Sequence, residues 1–242
     1  MSEAEASATV QSAAVRRLVL FDIDGTVVLD DGAAREAFAE GLLEVYGYEG
    51  DLGIFNFSGK TDPQIAYEVL EHGGWAPDVI GEGLDRLWPI YIKSLQGRLH
   101  KGRQRVLPGV LDLLERLSRI PEVTLGVLSG NIEAGAKIKL APWELDRYFA
   151  LGAFGSDSRH RADLPPVAAR RATERTGIGF APREIVIIGD SIWDVRCGVP
   201  HDSVTIAVAS GWTDADALRA ENPDFLFASM EETEAWVEAI LS

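Results

Sequence analysis

Five short apolar runs mark this chain: LVLF at 18–21, VTLGVL at 123–128, IVII at 185–188, VTIAVA at 204–209 and DFLF at 224–227. Stretches with helical spacing lie between them. Apolar residues recur in that way across 110–117, after Pro108 and Gly109, and 132–140 and 167–176 suit crossover helices. Strands that alternate with helices build βαβ units, in which each strand is carried back parallel to the last. Helices then cover both faces of the sheet, so the strands read as continuous apolar runs without polar alternation. The expectation is an α/β fold with a doubly wound, mostly parallel sheet.

Residues 30–105 interrupt the alternation. They show helical patterns at 33–46, 63–72 and 78–99, separated by glycine-bearing loops, and almost no β-branched run. A helical insertion directly after the first strand follows, with Pro108 and Gly109 marking the return after the basic stretch 101–105. The chain is therefore expected to divide into an N-terminal arm at 1–15, a core of 16–29 plus 106–242, and the insertion at 30–105. The arm is small and acidic, without the basic start and apolar centre of a secretory signal, which makes the cytoplasm the default location.

A net charge of −15 argues against nonspecific binding to nucleic acid, whose phosphates demand clustered lysine and arginine. No apolar stretch is long enough to span a bilayer. The single cysteine, Cys197, excludes an intrachain disulfide and a thiolate-rich zinc site, and its default role is that of a small buried residue. An anionic substrate must then find a local exception to the acidic surface. Oligomeric state leaves no readable mark.

That exception lies where the strands end. In an open parallel sheet, ligands bind outside the carboxyl ends of the strands. Those ends here carry Asp22 and Asp24 in DIDGT, Ser129, Gly130 and Asn131 in LSGN, and Asp190, Ser191 and Asp194 in GDSIWD. Magnesium takes oxygen ligands and keeps several waters, so Asp22, Asp190 and Asp194 form a candidate metal set. A carboxylate beside such an ion can attack phosphorus to give an aspartyl phosphate, and the neighbouring Asp24 can protonate the leaving oxygen and then deprotonate water. SGN supplies the Ser129 hydroxyl and backbone amides left open by Gly130 for a phosphate, although alone it also reads as a helix N-cap turn.

The ordered set DIDGT, LSGN and GDSIWD resembles the haloacid dehalogenase superfamily of phosphatases and phosphotransferases, in particular its phosphoglycolate-phosphatase-like group. The resemblance spans nearly the whole chain beyond the arm. It implies Asp22 as nucleophile, Asp24 as general acid and base whose carbonyl also binds the metal, Ser129 as phosphoryl ligand, and Asp190 and Asp194 as magnesium ligands. It further implies that the insertion is an α-helical cap that closes over the site and selects a small phosphorylated metabolite. Dehalogenases of the group lack an acid at the position of Asp24, so phosphate ester chemistry is favoured over halide release. A phosphomutase shares these motifs, and a noncatalytic phosphate-binding regulator is a third reading.

One family feature is missing. No lysine lies between Lys139 and the chain end, where the family places one before the fourth motif. A guanidinium must then neutralise the phosphoryl oxygens and clamp the nucleophile, with Arg161 the first choice and Arg159 the second. FSGKTDP resembles the end of a nucleotide-binding loop but lacks the first glycine, with Ile54 in its place, and no strand precedes it. Lys60 instead becomes a substrate contact on a cap loop, or else part of an exposed helix start capped by Thr61 or Asp62. Trp193, inside the acidic turn, is a candidate pocket liner.

Overall fold

The computed structural model describes residues 16–100 and 102–242. The expected N-terminal arm, residues 1–15, and Lys101 lie outside the described residues. Strand β1 (Arg17–Phe21) is buried along its whole length. A two-residue strand, β2 (Val28–Leu29), follows, then three helices: α1 (Ala33–Tyr46), α2 (Asp62–His72) and α3 (Pro77–Arg98). The chain returns through β3 (Arg105–Val106), which pairs antiparallel with β2. Helix α4 (Val110–Ser118), β4 (Val123–Ser129), α5 (Glu133–Leu140) and β5 (Leu151–Phe154) come next. Then follow α6 (Leu164–Thr176), β6 (Ile185–Gly189), α7 (Ile192–Gly198) and β7 (Val204–Val208). Helix α8 (Ala215–Ala220), β8 (Phe225–Phe227) and α9 (Thr233–Leu241) complete the described chain.

The main sheet has the order β5-β4-β1-β6-β7-β8, and every pairing in it is parallel. Successive side chains on a strand point to opposite faces. Val19 and Phe21 therefore join one core, with Leu113 of α4 and Trp236 of α9, while Leu18 and Leu20 join another, with Leu164 and Ala168 of α6. The sheet is thus covered on both faces, as expected for a doubly wound α/β fold. Residues of α1, α2 and α3 pack into a separate apolar cluster that includes Phe38, Leu70, Leu87 and Tyr91, with Phe38 edge-on to Tyr91 at 5.4 Å. Ile132, at the start of α5, extends this cluster to the sheet.

Several elements depart from the sequence reading. Strand β5 is an edge strand of only LGAF, too short and glycine-broken to stand out beside the longer runs. The acidic turn at 190–194 continues directly into α7, and α8 and α9 were likewise not separated from their surroundings.

Candidate active site

Strand β1 pairs with β4 on one side and β6 on the other, so three strand ends lie abreast. Asp22 follows β1, Ser129 closes β4, and Asp190 follows β6. Beyond Asp24 the chain must turn sharply, and Gly25 does so at φ 83°, a left-handed conformation that glycine adopts without strain. A Cβ on Gly25 would also collide with the Asp190 carboxylate. Thr26 donates its hydroxyl to Asp190 Oδ1 at 3.2 Å and ties the turn to β6. Asp194 comes from the first turn of α7. There the Ser191 amide and hydroxyl donate to Asp194 Oδ2 at 2.9 and 2.6 Å, while Ser191 Oγ accepts from the Asp194 amide. This reciprocal capping aims Asp194 at the strand ends and uses up Ser191 in doing so.

One carboxylate oxygen from each of Asp22, Asp190 and Asp194 lies within 4.8 Å of the others, and all three residues are buried. Arg161, in the turn before α6, is buried beside them. Its Nη2 donates to Asp22 Oδ1 at 2.9 Å, to Asp194 Oδ1, and to the Leu128 carbonyl at 3.2 Å; Nη1 reaches the Gly59 carbonyl at 3.2 Å. This one cation pairs with two of the three buried carboxylates, Asp22 and Asp194. Burial drives the Asp22 carboxyl up to about 7, against the pull of Arg161 and with Asp194 and Asp24 adding to the rise. Burial, then Asp194 and Asp22, push Asp190 well above the usual carboxylate range despite hydrogen bonds from the Trp212 amide and Thr26. Buried oxygen donors short of positive charge are what a hard divalent cation needs, and the residues present fit such an ion.

Asp24 turns to different partners. Its Oδ1 and Oδ2 each accept from Lys139 Nζ at 2.7 Å, and Oδ2 also accepts from Asn131 Nδ2 at 2.6 Å. Asn131 Nδ2 donates to Ser129 Oγ as well, at 2.9 Å, so the SGN segment is joined to the DIDGT turn. Lys139 is 3% exposed at its side chain, with Asp30 Oδ2 3.8 Å from its nitrogen. Burial alone would lower its pKa, but Asp24, Asp30 and Asp62 outweigh burial and raise it. Sequence reasoning missed this lysine, which looks like half of an ordinary basic helix end with Lys137.

The loop before α2 closes against the same edge. Gly130 O accepts from the Asp62 amide at 2.7 Å, and Asp62 Oδ2 accepts from the Ile132 amide at 2.8 Å. A Cβ on Gly130 would overlap the Lys60 carbonyl, so glycine here permits two backbones to touch. Burial drives the Asp62 carboxyl up to about 6, opposed by Lys139 and the Ile132 amide. Thr61 caps α2 by accepting from the Gln64 amide at 3.2 Å. Lys60 borders the cleft over Asp22 while its ammonium pairs with Glu68; the space, about 480 Å³, is also bordered by Asp24, Ser129, Arg161 and Trp212. Two candidates lie elsewhere. Arg159 is exposed with its guanidinium 4.8 Å over the Tyr67 ring, because the turn that buries Arg161 points its neighbour two residues back outward. Trp193 has Arg196 over its ring, and Trp212, after β7, forms the cleft wall in its place.

Residues 16–202 match the family model of the haloacid dehalogenase-like hydrolases, and the chain belongs to that family. Within it, the chain is 31% identical over 215 residues to a phosphoglycolate phosphatase of Synechococcus elongatus, a match covering 86% of this chain and 91% of that protein. Among solved structures, a predicted phosphatase from Clostridium acetobutylicum superposes with a TM-score of 0.71 at 18% identity, over 93% of this chain and 99% of the other. CbbY from Rhodobacter sphaeroides, solved in complex with phosphate, gives 0.71 at 19% identity, over 90% and 96%. At those identities the two structures establish the fold.

Proposed function

We propose that this phosphatase of the haloacid dehalogenase-like family hydrolyses a small phosphate monoester, with magnesium as its cation and a phosphorylated Asp22 as its intermediate. The observation that carries this reading is the convergence of Asp22, Asp190 and Asp194 on one point, short of positive charge and beside Ser129 and Asp24. Asp22, Asp190 and Asp194, with the Asp24 carbonyl, would hold the cation. Magnesium, when bound, offsets the charge of the phosphoryl group facing an anionic nucleophile.

The chain's own groups then divide the work. A carboxylate oxygen of Asp22 attacks phosphorus, the ester bond breaks, and Asp24 gives its proton to the departing oxygen. Asp24, now ionised, takes a proton from the water that attacks the aspartyl phosphate, which releases inorganic phosphate and returns Asp22. The Ser129 hydroxyl and the amides at Gly130 and Asn131 donate to phosphoryl oxygens, and Arg161 holds Asp22 in line while neutralising charge. Residues 30–105 act as the cap, which brings Lys60 to the substrate and excludes water during the reaction. The relative from Synechococcus elongatus supports a short phosphorylated acid as the first substrate to try, and the single cysteine supports a cytoplasmic location.

The test is phosphate release from a panel of monoesters headed by phosphoglycolate. Release with magnesium, its loss in EDTA, and a fall of about 10³-fold or more in Asp22→Asn are expected. No release from any ester refutes the reading.

A further inference from the structure

We propose that Lys139 is a positioning residue, one that holds the Asp24 carboxylate in place to receive the proton of the attacking water. The proposal rests on the role given to Asp24 above. Two lysines of α5 make the contrast. Lys137 is 70% exposed and forms an ordinary surface pair with Glu133, whereas Lys139 is 3% exposed. An ammonium is buried only where partners replace its water, so its burial reports those partners. Lys139 Nζ lies 2.7 Å from both oxygens of Asp24, a symmetric contact that fixes the carboxylate plane. Asn131 adds a third contact, and its link to Ser129 ties that plane to the phosphoryl side of the cleft. The lysine is itself held from behind, since buried Gln104 donates Nε2 to the Lys139 carbonyl at 2.8 Å.

Lys139 does not border the cleft, so it acts through Asp24 rather than on substrate. Gripped on both oxygens by Lys139 and on one by Asn131, the Asp24 side chain keeps a fixed orientation toward the cleft, which the attacking water needs once the leaving group has gone. A proton acceptor held at the right place and angle loses little in reaching its reactive geometry, and one left free to rotate loses much. Lys139 thus belongs to the second displacement, the hydrolysis of phosphorylated Asp22, and is dispensable to the first when the leaving group needs no proton.

The experiment is rapid-quench kinetics with labelled p-nitrophenyl phosphate, whose leaving group departs without a proton, following formation and decay of the acid-stable phosphoprotein. In Lys139→Met, formation is expected within about tenfold of wild type and decay slowed roughly 10²-fold, the weight of one general base. Lys139→Arg keeps the charge that balances Asp24, Asp30 and Asp62, so it holds the fold, and its decay is expected to fall between the two. Equal slowing of formation and decay in either variant, or unchanged decay in both, overturns the proposal. Asp24→Asn is run beside them. Slow decay in Asp24→Asn with normal decay in the lysine variants removes the Lys139 role alone, and normal decay in Asp24→Asn removes the base role on which it stands.

Discussion

Replacing Arg161 by methionine tests how the acid cluster is held together. Methionine keeps much of the side chain's length while removing its charge and donors, so the change leaves Asp22 and Asp194 buried without the cation they share. Breaking a buried pair by removing one partner costs about 3–5 kcal/mol, because the remaining charge stays out of water. In a chain of this size each kcal/mol moves Tm by roughly 2–4 °C, so Tm should fall by about 6–20 °C in EDTA. Magnesium should shrink that loss, since a ligand that binds only the folded carboxylates stabilises the folded state by mass action. The assay is calorimetric melting of both proteins with and without magnesium, extended to Asp22→Asn and the double variant. The double variant should recover part of the stability lost by Arg161→Met, since one of the orphaned carboxylates is then gone. A loss under about 1 kcal/mol in EDTA, or no recovery in the double variant, refutes the idea that Arg161 balances these acids.

Two further outcomes follow from the same geometry. The metal-free protein should lose stability as pH rises from 5 to 7, because Asp62 and Asp22, with carboxyls driven up to about 6 and about 7, bind protons in the folded state that the unfolded chain has already released. The rise from 3.8 to about 6 in Asp62 alone corresponds to roughly 3 kcal/mol in full, of which about 1.3 kcal/mol is lost between pH 5 and 7; urea midpoints in EDTA at pH 5 and 7 measure it, and a midpoint that rises with pH contradicts it. Gly130→Ala should force the Lys60 backbone away, costing about 1–3 kcal/mol as overpacking does and loosening the loop over the cleft; a variant as stable and as active as wild type would show that the two backbones do not need to meet.

Legibility in the sequence followed from how far each signal acts along the chain. The strands that lie at the middle of the sheet are apolar on both faces and could be read directly, whereas β5 pairs on one side only and needs few apolar residues. Asp22, Ser129 and Asp190 were readable because each closes an apolar run, and such ends converge in any parallel sheet. Arg161 has no such mark in its own segment, where RHRAD looks like a solvated basic turn; it is first choice over Arg159 through the missing family lysine, and the fold shows it turned inward onto Asp22 and Asp194. Lys139 was hidden for a related reason. Lys137 and Lys139 sit in the last turn of α5, where basic residues are favoured by the helix dipole, and nothing local distinguishes the one facing solvent from the one facing Asp24.

The antiparallel pair β2 and β3 joins Val28 to Val106 and Leu29 to Arg105, so the outgoing and returning chains are already hydrogen-bonded to each other where the helical segment leaves the sheet. Topologically, α1 to α3 hang from a closed ring whose neck is the β2–β3 pair. Lengthening, shortening or exchanging the segment beyond that neck then adds little closure entropy and shifts no register in the six-stranded sheet. A lineage is free to rewrite what the catalytic edge meets without re-solving how that edge is built.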